Sequence, residues 1–84
     1  MTSQDNIKNT IKNFILAEFL PGEDPNLLED STQLVTGGIL DSLATLRLVS
    51  FLQDQFGLEI EPYEMTTDHM DTLTAITDLV QSKL

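Results

Sequence analysis

The chain has no cysteine, one histidine and four basic residues, and each shortage removes a class of function. Without cysteine there is neither a disulfide framework nor a thiolate metal site, and nothing calls for an oxidising compartment. The lone histidine, His69, falls short of the three or four ligands a zinc centre takes, and the acids lack the spacing of an EF-hand calcium loop. No metal site is expected. The four bases, Lys8, Lys12, Arg47 and Lys83, stand against 14 acidic residues and leave a net charge of −10. That balance repels nucleic acid and anionic membranes, whose phosphates need clustered Lys or Arg. It favours partners with basic docking surfaces, although solubility alone also accounts for it. No apolar run reaches transmembrane length, and Met1 to Asp5 carries neither a basic segment nor a following apolar core of signal-peptide kind. The expectation is a cytoplasmic protein without membrane insertion. Internal repeats and low-complexity segments are also missing. At 84 residues the chain reads as one domain over 1–84, expected to be a monomer, with room for one small core and none for a cofactor cleft walled on all sides.

What the chain does have is helical periodicity. Ile7, Ile11, Phe14, Ile15 and Phe19, with Lys8, Asn9, Lys12, Asn13 and Glu18 on the other sides, predict an amphipathic helix over residues 2–20. Thr2 with Asp5, or Ser3 with Asn6, can cap it, and Pro21-Gly22 ends it. Residues 21–41 lack sustained periodicity, yet a connection of that length is seldom structureless. Leu27, Leu28, Leu34, Val35, Ile39 and Leu40 are expected to anchor it, and Asp24-Pro25 and Asp30-Ser31 to start single helical turns. Its acids, Glu23, Asp24, Glu29 and Asp30, are expected on a solvated face. A second helix reads from Ser42 to Phe56, with Leu43, Leu46, Val49, Leu52 and Phe56 on one face, widened by Leu48 and Phe51, and Gly57 as its stop. Apolar on more than one side, it is expected to pack between neighbours.

Leu58-Glu59-Ile60-Glu61 alternates like a strand but has no partner strand, so it reads as an extended connector. Pro62 and Tyr63 open a short third helical segment through about Met70. Asp71 or Thr72 then caps a last helix bearing Leu73, Ile76, Leu79, Val80 and Leu84, with Lys83 against its negative C-terminal end. The fold class is all-α, a four-helix bundle of three main helices plus a short third helix with a long first loop. About fifteen apolar side chains at helical spacing can enter the core, each worth roughly 1.5 to 3 kcal/mol before chain entropy is subtracted.

Gly37-Gly38-Ile39-Leu40-Asp41-Ser42-Leu43 delivers a serine to the first turn of the second helix. There its oxygen can cap the helix, and unpaired N–H groups with the positive end of the dipole favour an anion. A serine hydroxyl is a weak nucleophile without a neighbouring base. A Ser42, His69, Asp41 triad stays open on sequence, but Leu40 and Ala44 stand where a hydrolase nucleophile elbow has glycines, and a domain this small has little to wall off an acyl site. No catalytic residue is assigned, and the chain reads as something other than an enzyme.

Asp41-Ser42-Leu43, the two glycines before it and the order of helices around it resemble the attachment site and layout of acyl and peptidyl carrier proteins, over the whole chain. The resemblance implies a bundle of carrier-protein type, with 4'-phosphopantetheine from coenzyme A joined to Ser42 through a phosphodiester and cargo held on it as a thioester. It implies as partners a phosphopantetheinyl transferase, an acyl- or aminoacyl-loading ligase, and downstream synthase or transferase enzymes. By the same resemblance Asp41 takes part in transferase recognition, its plain alternative being a helix cap, and Leu43 contacts partners. Leu46 and Arg47 are further partner-recognition candidates. Met65 and Met70 either form an adaptable apolar lip near the arm or are simply buried.

The second helix departs from that of fatty-acid synthesis carriers, which is rich in acids. Here Arg47 and Asp54 are the only charges between Ser42 and Phe56, and they cancel. This favours a stand-alone carrier for polyketide, nonribosomal peptide or other specialised acyl transfer, docked by shape and apolar contact more than by charge. A fatty-acid carrier is the alternative within the class, and an unmodified helical adaptor the alternative outside it.

Overall fold

The computed structural model describes residues 4–84, so the expected caps at Thr2 and Ser3 lie outside the described residues. Helix α1 spans Gln4–Phe19 and buries Ile7, Ile11 and Ile15, one residue per turn along a single stripe. It stops just before Pro21, with the Leu20 N–H still bonded to the Leu16 carbonyl at 3.2 Å. Helix α2 spans Ser42–Phe56 and ends at Gly57, whose N–H donates to the Gln53 carbonyl. Helix α3 is a single turn, Thr67–Met70, and α4 spans Leu73–Lys83. Among the described residues there is no strand. Residues 58–60 belong to neither a helix nor a strand, and the Ile60 N–H is held by Gln53 Oε1 at 3.0 Å.

The core draws on every helix and on the loops between them. Ile7, Ile11 and Ile15 of α1 meet Leu48, Val49 and Leu52 of α2, and Leu73, Ile76, Leu79 and Val80 of α4, while Leu28, Leu34, Leu40 and Ile60 enter from the connections. Helix α1 packs chiefly on α4. It reaches α2 through Phe14, whose ring stacks on Phe51 at 4.0 Å between centroids and meets Phe19 edge-on at 5.8 Å. Within α4 the Thr77 hydroxyl is buried without a hydrogen-bond partner among the described residues, a cost of about 1 to 3 kcal/mol by general experience.

Several local expectations change. Pro25–Leu27 does form a 3-10 turn, with Asp24 accepting from the Asn26 N–H at 2.9 Å. Asp30-Ser31 makes no helical turn. It is the centre of a tight turn in which the Thr32 N–H reaches the Glu29 carbonyl and the Glu29 N–H reaches Thr32 Oγ1. Leu27 is 63% exposed and anchors nothing. Asp30 is not simply solvated: it pairs with Lys8 at 2.8 Å, and its carbonyl accepts the Thr74 N–H at 3.3 Å. The third helical segment is broken into a 3-10 turn, Pro62–Glu64, and α3, because Thr66 is extended at φ −120° and ψ 167°. Leu43 and Leu46 leave the core face of α2, being 70% and 51% exposed, so the first turns of α2 are not packed between neighbours.

Lys83 meets a carboxylate as well as a helix end: its Nζ lies 2.7 Å from Glu64 Oε1, and Glu64 is buried. The hydrogen bond from Lys83, and then that from the Glu61 N–H, hold the Glu64 carboxyl below its ordinary pKa, while Lys83 is raised, chiefly by Glu64. A depressed carboxyl contributes stability that is complete above its unfolded-state value and lost as pH falls through the folded one. Melting temperature is therefore expected to fall as pH drops below the ordinary glutamate range, and to fall less in Glu64→Gln. Acid limbs of equal steepness in the two proteins would remove this pair from the explanation.

Candidate functional site

The segment that leads to Ser42 is a closed loop. Leu34 and Leu40 are both buried, and the Leu40 N–H donates to the Leu34 carbonyl at 2.8 Å, so the chain leaves the core and returns to it between them. The turn inside depends on two glycines for different reasons. Gly38 adopts φ +84°, a region L side chains seldom enter, and its N–H donates to the Val35 carbonyl. Gly37 is not at positive φ, but a Cβ there would collide with the Gln33 carbonyl oxygen. Gly37→Ala is expected to cost about 1 to 3 kcal/mol by forcing that backbone apart, and to shift the amide resonances of Gln33 through Leu40. Unchanged stability with unchanged resonances would contradict the tight loop.

Ser42 is the first residue of α2, and the cap is the residue before it. Asp41 is extended at φ −82° and ψ −175°, and its Oδ1 accepts the Ala44 N–H at 2.8 Å. The expectation that Ser42 itself caps the helix is therefore replaced by the Asp41 reading. A serine one position further on cannot reach back over the first turn in the same way. Ser42 is exposed, and its hydroxyl has no hydrogen-bond partner among the described residues. Asp41 takes the third N–H of the turn, which leaves the N–H groups of Ser42 and Leu43 without a partner inside the helix.

Ser42 stands on the rim of an open cleft of about 710 Å³. Val35, Leu40, Leu46, Met65 and Met70 give it apolar walls, Thr45, Thr66 and Thr67 add hydroxyls, and among the described residues Asp41 is its only charged one. Of the residues singled out by sequence, Asp41, Ser42, Leu46 and Met65 come together here. Met65 is half-buried at the wall, whereas Met70 is buried, so only Met65 fits the part of a mobile lip. Leu43 lies outside the cleft, projecting into solvent from the same turn of α2. Arg47 points away from it: its guanidinium pairs with Glu18 of α1 at 2.7 Å and lies 5.9 Å from the centre of the Phe19 ring.

His69 does not join Ser42. It lines a separate depression of about 390 Å³ with Asp68, Asp78, Leu79 and Ser82, while Asp41 is occupied at the helix start. The triad left open by sequence is thus not assembled. Among the described residues no group of three His, Cys, Asp or Glu could hold a metal ion, and no helix is long and apolar enough to cross a membrane.

Comparison with protein-family models finds no match, and comparison with curated proteins finds none. The residues around Ser42 carry the functional reading by themselves.

Two features of the site escaped the sequence. Thr45 follows Ser42 by three residues, a spacing that puts it on one face of α2 with Ser42 and Leu46, so this part of the wall was available to a reader of helical geometry. Asp71 had no such signal. Expected as an alternative cap for α4, it leaves that part to Thr72, whose Oγ1 accepts the Ala75 N–H at 3.0 Å. Asp71 turns to the first loop instead and accepts from the N–H groups of Val35 and Thr36 at 2.9 and 2.8 Å. The Thr36 N–H first, and also the Thr36 hydroxyl and the Val35 N–H, hold its carboxyl below the ordinary aspartate range.

Proposed function

We propose that this chain is a stand-alone carrier that holds an acyl, aminoacyl or peptidyl group as a thioester on 4'-phosphopantetheine attached to Ser42. One observation carries the reading: Ser42 is exposed at the head of α2 with its hydroxyl unengaged, because Asp41 does the capping. A group attached there is freely presented on a rigid element, and its phosphate meets the unpaired N–H groups and positive end of the helix, an interaction worth about 0.3 to 1 kcal/mol when exposed. With His69 in a separate depression and Asp41 engaged as the helix cap, Ser42 suits a residue that is modified by another enzyme, a phosphopantetheinyl transferase, and the proposal gives this chain no catalysis of its own. The order of the helices, with the serine heading the second, supports a bundle of carrier-protein type. In this reading the chain works as a cytoplasmic monomer.

The face offered to loading ligases and downstream enzymes is Leu43 and Leu46, both exposed beside Ser42. Arg47 contributes less positive field than its sequence position suggests, because Glu18 neutralises it. With Arg47 paired and Asp41 the one carboxylate at the exposed start of α2, apolar contact dominates docking, which supports specialised acyl transfer over fatty-acid synthesis. The same two leucines also suit an unmodified adaptor.

The lack of cysteine makes the test simple. After incubation with coenzyme A and a broad-specificity phosphopantetheinyl transferase, and removal of small molecules, thiol titration is expected to rise from none to one per chain. An adaptor stays at none, and that result would refute the carrier reading.

A further inference from the structure

Asp71 sits where α3 gives way to α4, far in sequence from Ser42, yet it grips the loop that presents that serine. Its Oδ1 accepts the Val35 and Thr36 N–H groups, and the Thr36 hydroxyl lies 2.9 Å from its Oδ2. Its backbone carbonyl accepts the Leu34 N–H at 2.6 Å. Three consecutive loop residues are therefore held by one residue. From Leu34 the connection continues, since the Leu34 carbonyl accepts the Leu40 N–H, and Leu40 is followed directly by the cap Asp41 and by Ser42. The cleft records the same coupling: Val35, held by Asp71, and Met70, the residue before Asp71, are both among its walls.

A hydrogen-bonded chain that runs from the α3–α4 junction to the first turn of α2 fixes the height and angle of that turn relative to the cleft. We infer that Asp71 is a positioning residue, which sets the geometry in which Ser42 is offered to the enzyme that modifies it. The inference rests on the carrier reading for its functional half and on the loop geometry for the other. Asp71 does not line the cleft, so its effect is exerted through residues 34–41.

The test uses the apo protein with coenzyme A and a broad-specificity phosphopantetheinyl transferase, below the melting temperature of every variant. Misplacing a reacting group by about 1 Å costs on the order of 100-fold, and Asp71→Ala is expected to lower kcat/KM for modification by about ten- to a hundredfold. In the same variant the amides of Val35, Thr36 and Leu40 should exchange hydrogen faster, while those of Leu52 and Ile76 in the core keep their protection. Asp71→Asn retains an oxygen that can accept from both N–H groups, and is expected to recover most of the rate. A wild-type rate in Asp71→Ala overturns the inference. So does an equal loss in the Ala and Asn variants with faster exchange throughout the core, which would mark a purely structural role. Should Asp71→Ala fail to fold, Thr36→Val removes only the hydroxyl contact and is expected to show a smaller loss in the same direction, with no loss counting against the inference. If the unaltered chain accepts no arm, the carrier reading fails by itself. Exchange at Leu40 and Ala44 in Asp71→Ala then decides the positioning: faster exchange supports it, and unchanged exchange overturns it.

Discussion

Ser42→Ala is expected to abolish attachment of phosphopantetheine while changing the unfolding free energy by no more than about 0.5 kcal/mol. The two halves of this result come from the division of labour at the start of α2. Asp41 Oδ1 holds the Ala44 N–H, so the helix keeps its cap when the serine hydroxyl is removed. Ser42 is exposed and its Oγ is bonded to nothing among the described residues, so no packing or hydrogen bond goes with it. Alanine is also the better helix former at an exposed position. Asp41→Ala, by contrast, removes the cap and falls in the range of about 0.5 to 2 kcal/mol for such losses. Urea denaturation of both variants beside the thiol assay checks the pair. A Ser42→Ala protein destabilised as much as Asp41→Ala would return the capping role to the serine, and one that still accepts the arm would remove Ser42 from the site.

The largest effect on stability is expected in the core between α1 and α4. Ile11 and Ile76 are fully buried and belong to the two helices that pack most closely. Truncating either to alanine should cost about 2 to 5 kcal/mol, from lost burial together with the cavity left behind. A domain of this length has a total of roughly 4 to 13 kcal/mol, so either change consumes a large share of it. Leu27→Ala, at an exposed position of equal hydrophobicity, is expected to cost less than about 1 kcal/mol. Urea midpoints for the three variants test the contrast, and a loss below 1 kcal/mol at both isoleucines would contradict the packing described. Leu34 and Leu40 share this core, so its loss also loosens the loop that carries Ser42.

Periodicity made α1, α2 and α4 legible because each carries a stripe of apolar residues that the fold buries. The stripe misleads where a helix runs past its neighbours. Leu43 and Leu46 keep the spacing of Val49 and Leu52 but lie in the turns of α2 that nothing covers, and spacing alone does not register that. The break at Thr66 was hidden for a related reason, since a cap residue in extended geometry looks in sequence like any other threonine. Ser42 was legible as the residue at the head of a helix after two glycines. Its cleft was not, because the walls come from residues 35–46 and 65–70, which only the fold brings together. Asp71 is the extreme case: its side chain's partners lie 35 and 36 positions away, and two of its bonds accept from backbone N–H groups that any sequence would offer.

The central claim is that Ser42 carries the chemistry, and the chain offers other serines against which to judge it, among them the exposed Ser31, Ser50 and Ser82. Intact-mass spectrometry after incubation with coenzyme A and a broad-specificity phosphopantetheinyl transferase, followed by fragmentation of the product, tests that claim most directly. The expected result is a single addition of one phosphopantetheine, localised to Ser42. No addition, or an addition at another serine, would contradict it.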